Sequence, residues 1–220
     1  MVAADLTDPT KTITQAVGMT KQFLFVQIDV SNKHQVDSLI QQTVHEHGRL
    51  DILINCAGVE LAKKATDTTE EEWDQLMGVN LKGVFLCSKA AINQMNLTGG
   101  GVIVNVASEL GLVGGSEIAA YCASKGGVIQ LTKAMAIDHA SENIRINCIC
   151  PGPIDTPLLD RIIANARDPE AERKATAAKT LLNRLGRPTE VANVIGFLAS
   201  DESSYMTGAV VVVDGGLTAQ

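Results

Sequence analysis

Short, continuously apolar segments alternate with longer amphipathic segments along this chain, and this alternation constrains its fold more than any other feature. The predicted strands are residues 23–28, 52–55, 102–107, 144–150 and 209–214. The predicted helices are residues 33–46, 70–76, 79–95, 120–140 and 190–199. Strands that are apolar on both faces and are separated by crossover helices form a parallel sheet. The sequence therefore predicts an α/β fold, a doubly wound parallel sheet with helices on both faces.

Composition narrows the class of protein. The 220 residues form one expected domain of 23.3 kDa, and the net charge of -7 argues against binding to nucleic acid or to an anionic membrane. No apolar run reaches the roughly 20 residues of a membrane span, and no signal peptide is visible. The five cysteines are scattered without a CxxC pair, so we expect reduced, buried thiols in a cytoplasmic protein. The four histidines suggest no metal site, because His45 and His47 diverge on a helix.

Ser108, Tyr121 and Lys125 carry the chemistry of the chain. Tyr121 and Lys125 are four residues apart on a predicted helix, which places both side chains on one face. An ammonium about 5 Å from a phenol favours the phenolate by about 3 kcal/mol, so we expect a lowered pKa for Tyr121. Ser108 closes an apolar run and should lie at the C-terminal end of a strand, where ligands bind in open α/β sheets. Without further context, the Tyr–Lys pair could also be an incidental helical pair.

Other motifs supply that context. In chain order they are Asn55-Cys-Ala-Gly58, Val79-Asn-Leu-Lys-Gly83, Pro151-Gly-Pro-Ile-Asp-Thr156 and Asp214-Gly-Gly216. With the Ser108, Tyr121 and Lys125 spacing, these motifs make the chain resemble the short-chain dehydrogenase/reductase family over essentially its whole length. The resemblance implies a Rossmann-like fold and hydride transfer between a secondary alcohol or ketone and a nicotinamide cofactor. It further implies that Tyr121 is the acid/base, Lys125 its partner, Ser108 the group that orients the carbonyl, and Asn80 the holder of a proton-relay water.

The resemblance also implies a set of cofactor contacts, in addition to Tyr121 and Lys125. They are Asp5, Asp29, Val30, Asn55, Ala57, Gly58, Pro151, Gly152, Ile154 and Thr156. Asp5 would accept hydrogen bonds from the adenosine ribose and repel a 2′-phosphate, which favours NAD over NADP.

Several of these residues have simpler explanations that stay open. Asp5 can be an exposed, frayed terminus, and Asp29 and Val30 can simply precede a helix N-cap. Gly58 can be required by a strained φ angle, and Asn80 can be a satisfied buried amide.

The start of the sequence departs from the family pattern. No Gly-rich turn follows an opening strand, and residues 1–5 resemble the end of the family's second strand. We expect that the Gly-rich cofactor loop, with the first strand and helix, is missing relative to the family, about 30–40 residues. The absent strand would be the central one, between the strand ending near Asp5 and the strand at residues 52–55, which predicts a gap in the hydrogen-bond ladder.

Residues 157–187 resemble the family's mobile substrate lid, although an ordinary pair of surface helices fits them as well. The helices at residues 79–95 and 127–140 carry small side chains, and the resemblance implies a homotetramer or homodimer. The C-terminal segments resemble bacterial members such as glucose dehydrogenases and dihydroanticapsin dehydrogenases, which hints at a polar, cyclic or sugar-like alcohol. A sugar-nucleotide epimerase and a non-catalytic truncated homologue acting only as an oligomer partner are the alternatives.

Overall fold

Six strands lie in the part of the chain that the computed structural model describes, which is residues 1–8, 23–164 and 166–220. The strands are β1 (Val2–Asp5), β2 (Leu24–Gln27), β3 (Ile52–Asn55), β4 (Gly101–Val106), β5 (Ile144–Pro151) and β6 (Val210–Val213). The α-helices are α1 (Lys33–His47), α2 (Glu70–Met77), α3 (Gly83–Thr98), α4 (Ala119–His139), α5 (Pro157–Ala164), α6 (Pro169–Ala178) and α7 (Pro188–Ala199). A π-helical segment, Gly78–Lys82, joins α2 to α3. Every strand pairing is parallel, as the sequence predicts.

The core lies on both faces of the central strands β4 and β5. Ile103 and Val104 of β4 and Ile146 and Ile149 of β5 are fully buried. Helices cover both faces of the sheet, so these strands have no polar face to alternate with the apolar one. This is the physical reason why both strands are mainly apolar in the sequence, without a regular alternation of polar and apolar residues.

Local signals fix where the helices begin and end. The Asn32 side chain accepts hydrogen bonds from the N–H groups of His34 and Gln35 and so caps the start of α1. Gly48, with φ of 79°, ends the same helix in the left-handed conformation. Helix α2 begins at a capping box in which Thr69 and Glu72 satisfy each other's backbone N–H groups.

The thiols depart from the sequence expectation of burial at two positions, Cys56 and Cys122, of which Cys122 is half-buried. All five cysteines are free, and Cys87, Cys148 and Cys150 are buried as predicted. Cys56 is exposed, because it follows β3 at the open edge of the sheet, so the expectation of uniformly buried thiols is wrong there. No helix in the described ranges is long and apolar enough to cross a membrane.

The sheet is interrupted between β1 and β3. Strands β1 and β2 form one sheet, β3-β4-β5-β6 form another, and no ladder joins the two within the described residues. A cavity of about 190 Å³ lies between β1 and β3, lined by side chains from both strands and from α3. The interruption agrees with the gap that the sequence predicts between Asp5 and residues 52–55.

The register shows which backbone groups face this cavity. Val102 donates its N–H to the carbonyl of Asp51, so Leu53 and Asn55 direct their N–H groups toward β4. The backbone N–H groups of Ile52 and Ile54 point in the opposite direction, toward the cavity. Edge groups of this kind have no ladder partner among the described strands.

This alternation predicts a pattern of amide hydrogen exchange within one strand. We expect the N–H of Ile54 to exchange at least about tenfold faster than the N–H groups of Leu53 and Asn55, since only the latter two are held by β4. Exchange followed by NMR tests this, with the neighbouring residues of the same strand as internal controls. Equal protection of all three amides would show that another segment pairs with this edge of β3.

Candidate active site

The side chains of Ser108, Tyr121 and Lys125 lie together beyond the C-terminal end of β4. They are 5%, 8% and 5% exposed, respectively. The Lys125 ammonium nitrogen lies 5.6 Å from the centroid of the Tyr121 ring and donates a hydrogen bond of 2.9 Å to the Val106 carbonyl. The structure therefore brings together the three residues that the sequence singled out.

A tight approach between a turn and a helix creates this arrangement. Residues Glu109–Gly111 form a single 3₁₀ turn directly after Ser108, whose hydroxyl accepts from the N–H of Leu110 at 3.2 Å. A Cβ on Gly111 would lie 2.7 Å from the carbonyl carbon of Lys125, so only glycine allows this turn to rest on α4. The turn carries Ser108 into the neighbourhood of Tyr121.

Burial decides the electrostatics of the site, and it overturns one sequence prediction. Burial in the first place, and then the Glu60 carboxylate, raise the pKa of Tyr121 above the ordinary value of a phenol. Burial lowers the pKa of Lys125 to about 8. The predicted lowering of the Tyr121 pKa by Lys125 is therefore wrong for this state of the site. Loss of water around the phenol, together with nearby carboxylates, outweighs the ammonium, which is bonded to the Val106 carbonyl.

Two glutamates adjoin this group, and sequence reasoning could not place them. Glu109 is 8% exposed and accepts a hydrogen bond of 2.6 Å from the Ser108 hydroxyl. Burial raises its pKa. Burial, followed by the charge of Glu109, raises the pKa of Glu60 to about 6. For Glu109, the sequence did carry an indication of this role, because its carboxylate directly follows the serine at the end of an apolar strand.

Asn80 lies in the π-helical segment, so the helix is distorted at this residue. Its side chain is fully buried and its amide bonds in both directions with the backbone of Val59, at 2.8 and 2.9 Å. The amide also donates to Ser124 at 3.1 Å. The side chain is thus a satisfied buried amide that ties the loop after β3 to α4, and its part in a proton relay stays a prediction.

Asp5, Asp29 and Val30 follow the first two strands, where the adenosine end of a dinucleotide was expected. Asp5 is exposed and accepts hydrogen bonds from the backbone N–H and hydroxyl of Thr7. The Asp29 carboxylate accepts from the N–H of Ser31, while Asn32 is the cap of α1, so Asp29 is not the helix cap itself. Asp5 and Val30 both line the cavity between β1 and β3.

Asn55, Ala57 and Gly58 belong to the loop at the end of β3. The Asn55 amide is buried and donates to Ser88 at 3.0 Å and to Asn105 at 2.8 Å, so it holds the loop rather than pointing out to a ligand. Gly58 does not have a positive φ, so the expectation of a strained conformation at this residue is wrong. Both Asn55 and Ala57 line the cavity.

The space around Gly58 bears on its role as a cofactor contact. A Cβ at this position would lie 3.6 Å from both the Asn80 amide oxygen and the Lys125 ammonium. The glycine therefore keeps the approach to Lys125 open.

A buried polar network underlies this loop, and sequence reasoning missed it. Asn105 of β4 accepts from Asn55 and donates to Thr132 of α4 at 2.9 Å. The Thr132 hydroxyl in turn donates to the Val128 carbonyl. An asparagine in the middle of an apolar strand was the visible signal, since a buried amide requires partners.

The segment from Pro151 to Thr156 leaves the end of β5. A Cβ on Gly152 would lie 2.7 Å from the Cα of Asp214, so the turn passes close to the end of β6. The two residues that flank Ile154 hydrogen-bond with Gly186 in a parallel bridge. The N–H and C=O groups of Ile154 itself therefore point away from Gly186. The Thr156 hydroxyl accepts from the N–H of Leu159 at 3.4 Å and so supports the start of α5.

The residues at the carboxyl ends of the strands can hold the two nucleoside ends of a nicotinamide cofactor. Asp5, Asn55 and Pro151 are the last residues of β1, β3 and β5, and Ser108 lies two residues after β4, so all four lie at the carboxyl ends of parallel strands. The open approach at Gly58 and the buried ammonium of Lys125 suit a ribose with its hydroxyl groups. The described residues fit the nucleoside ends of such a cofactor, and no Gly-rich turn follows β1 within the described residues 1–8.

The close contact at Gly111 predicts a position-specific effect of alanine. We expect Gly111→Ala to lower the free energy of unfolding by about 1–3 kcal/mol, because the new methyl group forces the turn away from the backbone of α4. Gly114→Ala is the matched control in the same loop, since a Cβ there meets nothing within 4 Å. Urea unfolding of both variants makes the comparison, and equal stability would contradict the close approach.

Comparison with known proteins places the chain in a family. A family model described as enoyl-(acyl carrier protein) reductase matches residues 1–218. The chain is 41% identical over 190 residues to a 3-oxoacyl-[acyl-carrier-protein] reductase of Thermotoga maritima, covering 86% of this chain and 75% of that protein. It is 43% identical over 195 residues to a cyclopentanol dehydrogenase of Comamonas sp., covering 89% and 76%.

The fold gives the same answer. A solved structure of a short-chain dehydrogenase/reductase from Burkholderia xenovorans superposes with a TM-score of 0.94 at 33% identity, covering all of this chain and 85% of that one. The chain is thus similar, in sequence and in fold, to proteins that are dehydrogenases and reductases by name. The chain belongs to the short-chain dehydrogenase/reductase family.

Proposed function

We propose that this protein is an NAD(H)-dependent oxidoreductase that interconverts a secondary alcohol and a ketone, with Tyr121 as the acid/base. The observation that carries the proposal is the buried group of Ser108, Tyr121 and Lys125 at the C-terminal end of β4. Membership in a family of dehydrogenases and reductases supports oxidoreductase chemistry.

In the oxidative direction, Tyr121 accepts the proton of the substrate hydroxyl as the C–H bond of the carbinol breaks. The cofactor, when bound, supplies the acceptor for the hydride. Lys125 is protonated below its pKa of about 8, and its positive charge then opposes part of the rise that burial and Glu60 give the pKa of Tyr121. Ser108 contacts the substrate oxygen, and the burial of all three side chains keeps bulk water from competing for the proton.

We propose NAD rather than NADP as the cofactor, on the basis of Asp5. Its carboxylate is exposed at the end of β1 and lines the cavity between β1 and β3. A carboxylate accepts hydrogen bonds from ribose hydroxyls and repels a 2′-phosphate. The chain's net charge of -7 offers no general compensation for that repulsion.

We propose a neutral, hydroxyl-bearing substrate of modest size. Glu60 and Glu109 adjoin Tyr121 and oppose anionic groups at the reacting end of the substrate. One relative of this chain is a cyclopentanol dehydrogenase by name, which supports a cyclic alcohol.

Residues 157–187 are proposed to form the lid over this substrate. Asp155 donates to the Gly186 carbonyl at 2.9 Å and Gly186 donates to the Pro153 carbonyl at 3.0 Å, so the two ends of the segment are fastened together. Within the segment, Arg173 of α6 pairs with both Asp155 and Asp160. A segment with a fixed base and helices held by exposed ion pairs is suited to open and close over a pocket.

A non-catalytic role as an oligomer partner is the second candidate. The interruption of the sheet and the cavity beside Asp5 favour it, since both lie where a dinucleotide would be held. Apolar side chains on the outer faces of α3 and α4 support assembly as a homodimer or homotetramer. Phe85, Leu97 and Ile137 are 43%, 78% and 80% exposed.

The acid/base role predicts a selective loss of turnover. We expect Tyr121→Phe to lower kcat by about 100-fold or more, because only the proton-transfer group is removed, and to change the Kd for NADH by less than about twofold. The matched control is Tyr205→Phe, which removes the hydroxyl of the fully exposed second tyrosine. Retention of more than about a tenth of the parent kcat in Tyr121→Phe would contradict the assignment.

Cofactor titration separates the two candidate functions. We expect the fluorescence of NADH to saturate as protein is added, with NADPH binding about tenfold more weakly. Asp5→Asn should reduce that difference by removing the charge that repels the 2′-phosphate. Light scattering on the same samples gives the assembly state. An assembled protein that alters neither the NADH nor the NADPH signal would favour the non-catalytic candidate.

A further inference from the structure

The hydrogen bonds of Ser108 restrict what this residue can offer a substrate. A hydroxyl has one proton to donate and two lone pairs that accept. The Ser108 proton is donated to the Glu109 carboxylate over 2.6 Å, and one lone pair accepts from the N–H of Leu110 at 3.2 Å. No proton remains, and one lone pair is left for the Tyr121 hydroxyl or for a substrate, so Ser108 in this arrangement accepts a hydrogen bond but donates none.

This restriction distinguishes the two forms of a substrate. An alcohol carries an O–H that can donate to the free lone pair of Ser108. A ketone oxygen only accepts, so it finds no donor at Ser108 while Glu109 holds the proton. The arrangement thus suits the alcohol and leaves the carbonyl to the phenol of Tyr121 alone.

Protonation of Glu109 would reverse the direction of this hydrogen bond. A neutral carboxyl group donates its own proton to the Ser108 oxygen, and the serine hydroxyl is then free to turn its proton toward a carbonyl. Glu109 is 8% exposed, and burial raises its pKa. A neutral form is therefore accessible closer to neutral pH than for an exposed glutamate.

Ionisable groups from several elements act on Glu109. The negative charge of Asp214, at the end of β6, favours the neutral carboxyl, as does Glu60 in the loop after β3. The Lys125 ammonium on α4 favours the carboxylate. Tyr121 on α4 competes for the same serine, since a hydrogen bond from Ser108 lowers its pKa, and Cys150 of β5 interacts with Glu109 as well.

We infer that Glu109 is a positioning residue that decides whether Ser108 donates or accepts a hydrogen bond, and thereby whether the site holds ketone or alcohol. This inference rests on the proposed function, because it concerns the substrate of that same site. It assigns to Glu109 a role in the preferred direction of reaction that acts through Ser108 and not on the reacting atoms.

The test compares Glu109→Gln with Glu46→Gln, which removes the same charge from the exposed surface of α1. The amide of glutamine can donate permanently to the Ser108 oxygen. In the parent, we expect the KM for a ketone such as cyclopentanone to rise, and the KM for cyclopentanol to fall, as pH increases from about 5 to about 9. Glu109→Gln should abolish this opposed pH dependence and shift the ratio of the two KM values by about tenfold in favour of the ketone. Glu46→Gln should behave like the parent.

A second measurement reads the hydrogen bond without any turnover. In protein with ¹³C-labelled glutamate carboxyl groups, the NMR signal lost in Glu109→Gln gives the pKa of Glu109. Ser108→Ala removes the donor to the carboxylate, so it should raise this pKa further. If Ser108→Ala leaves the pKa of Glu109 unchanged while the parent enzyme converts its substrate, the role of Glu109 is overturned and the proposed function stands. If the titration moves but no alcohol or ketone is converted, the proposed function fails and substrate selection by Glu109 fails with it.

Discussion

A buried ammonium fixes the geometry on which the site depends. Lys125 is 5% exposed, and a charge at that depth is costly unless it is hydrogen-bonded. Its bond to the Val106 carbonyl meets that requirement and fastens the first turns of α4 to the end of β4. Because Tyr121 lies one helical turn earlier and Ser108 two residues after Val106, this bond, together with the contact of Gly111 with α4, sets how the tyrosine and the serine face each other. The burial that makes the bond necessary also sets the pKa values of the neighbouring side chains.

Buried amides extend the same principle away from the site. Asn55, Asn105 and Thr132 form a chain of hydrogen bonds from β3 through β4 to α4. No buried side-chain nitrogen or oxygen atom within the described residues lacks a partner. Such a network tolerates few alternative registers, since a slip of one strand would leave an amide unpaired in an apolar core. The loop that carries Gly58 is therefore positioned by polar contacts as much as by apolar packing.

The sequence predicted the parallel sheet because β4 and β5 are buried on both faces and are therefore apolar at most positions, with hydrogen-bonded amides at Asn105 and Asn147. It predicted Ser108, Tyr121 and Lys125 because their spacing follows from the helix and the strand end. It could not predict the direction of the Tyr121 pKa, since the burial of a phenol is the sum of contacts from distant parts of the chain. It could not pair Ser108 with Glu109 either. Adjacent side chains diverge on a strand, and only the 3₁₀ turn at Glu109–Gly111 brings these two together.

The fastening of Pro153 and Asp155 to Gly186 has a consequence for how this protein can diversify. The chain between these points leaves and rejoins the sheet region at one place, so its length and sequence can change without straining the strands. Doubling the length of such a loop costs only about 0.6 kcal/mol of closure entropy. If residues 157–187 are the proposed lid, insertions and exchanges in residues 157–178 would therefore alter the space over the substrate while Ser108, Tyr121 and Lys125 stay as they are. In that case the proposed chemistry and the proposed choice of substrate can evolve as separate units.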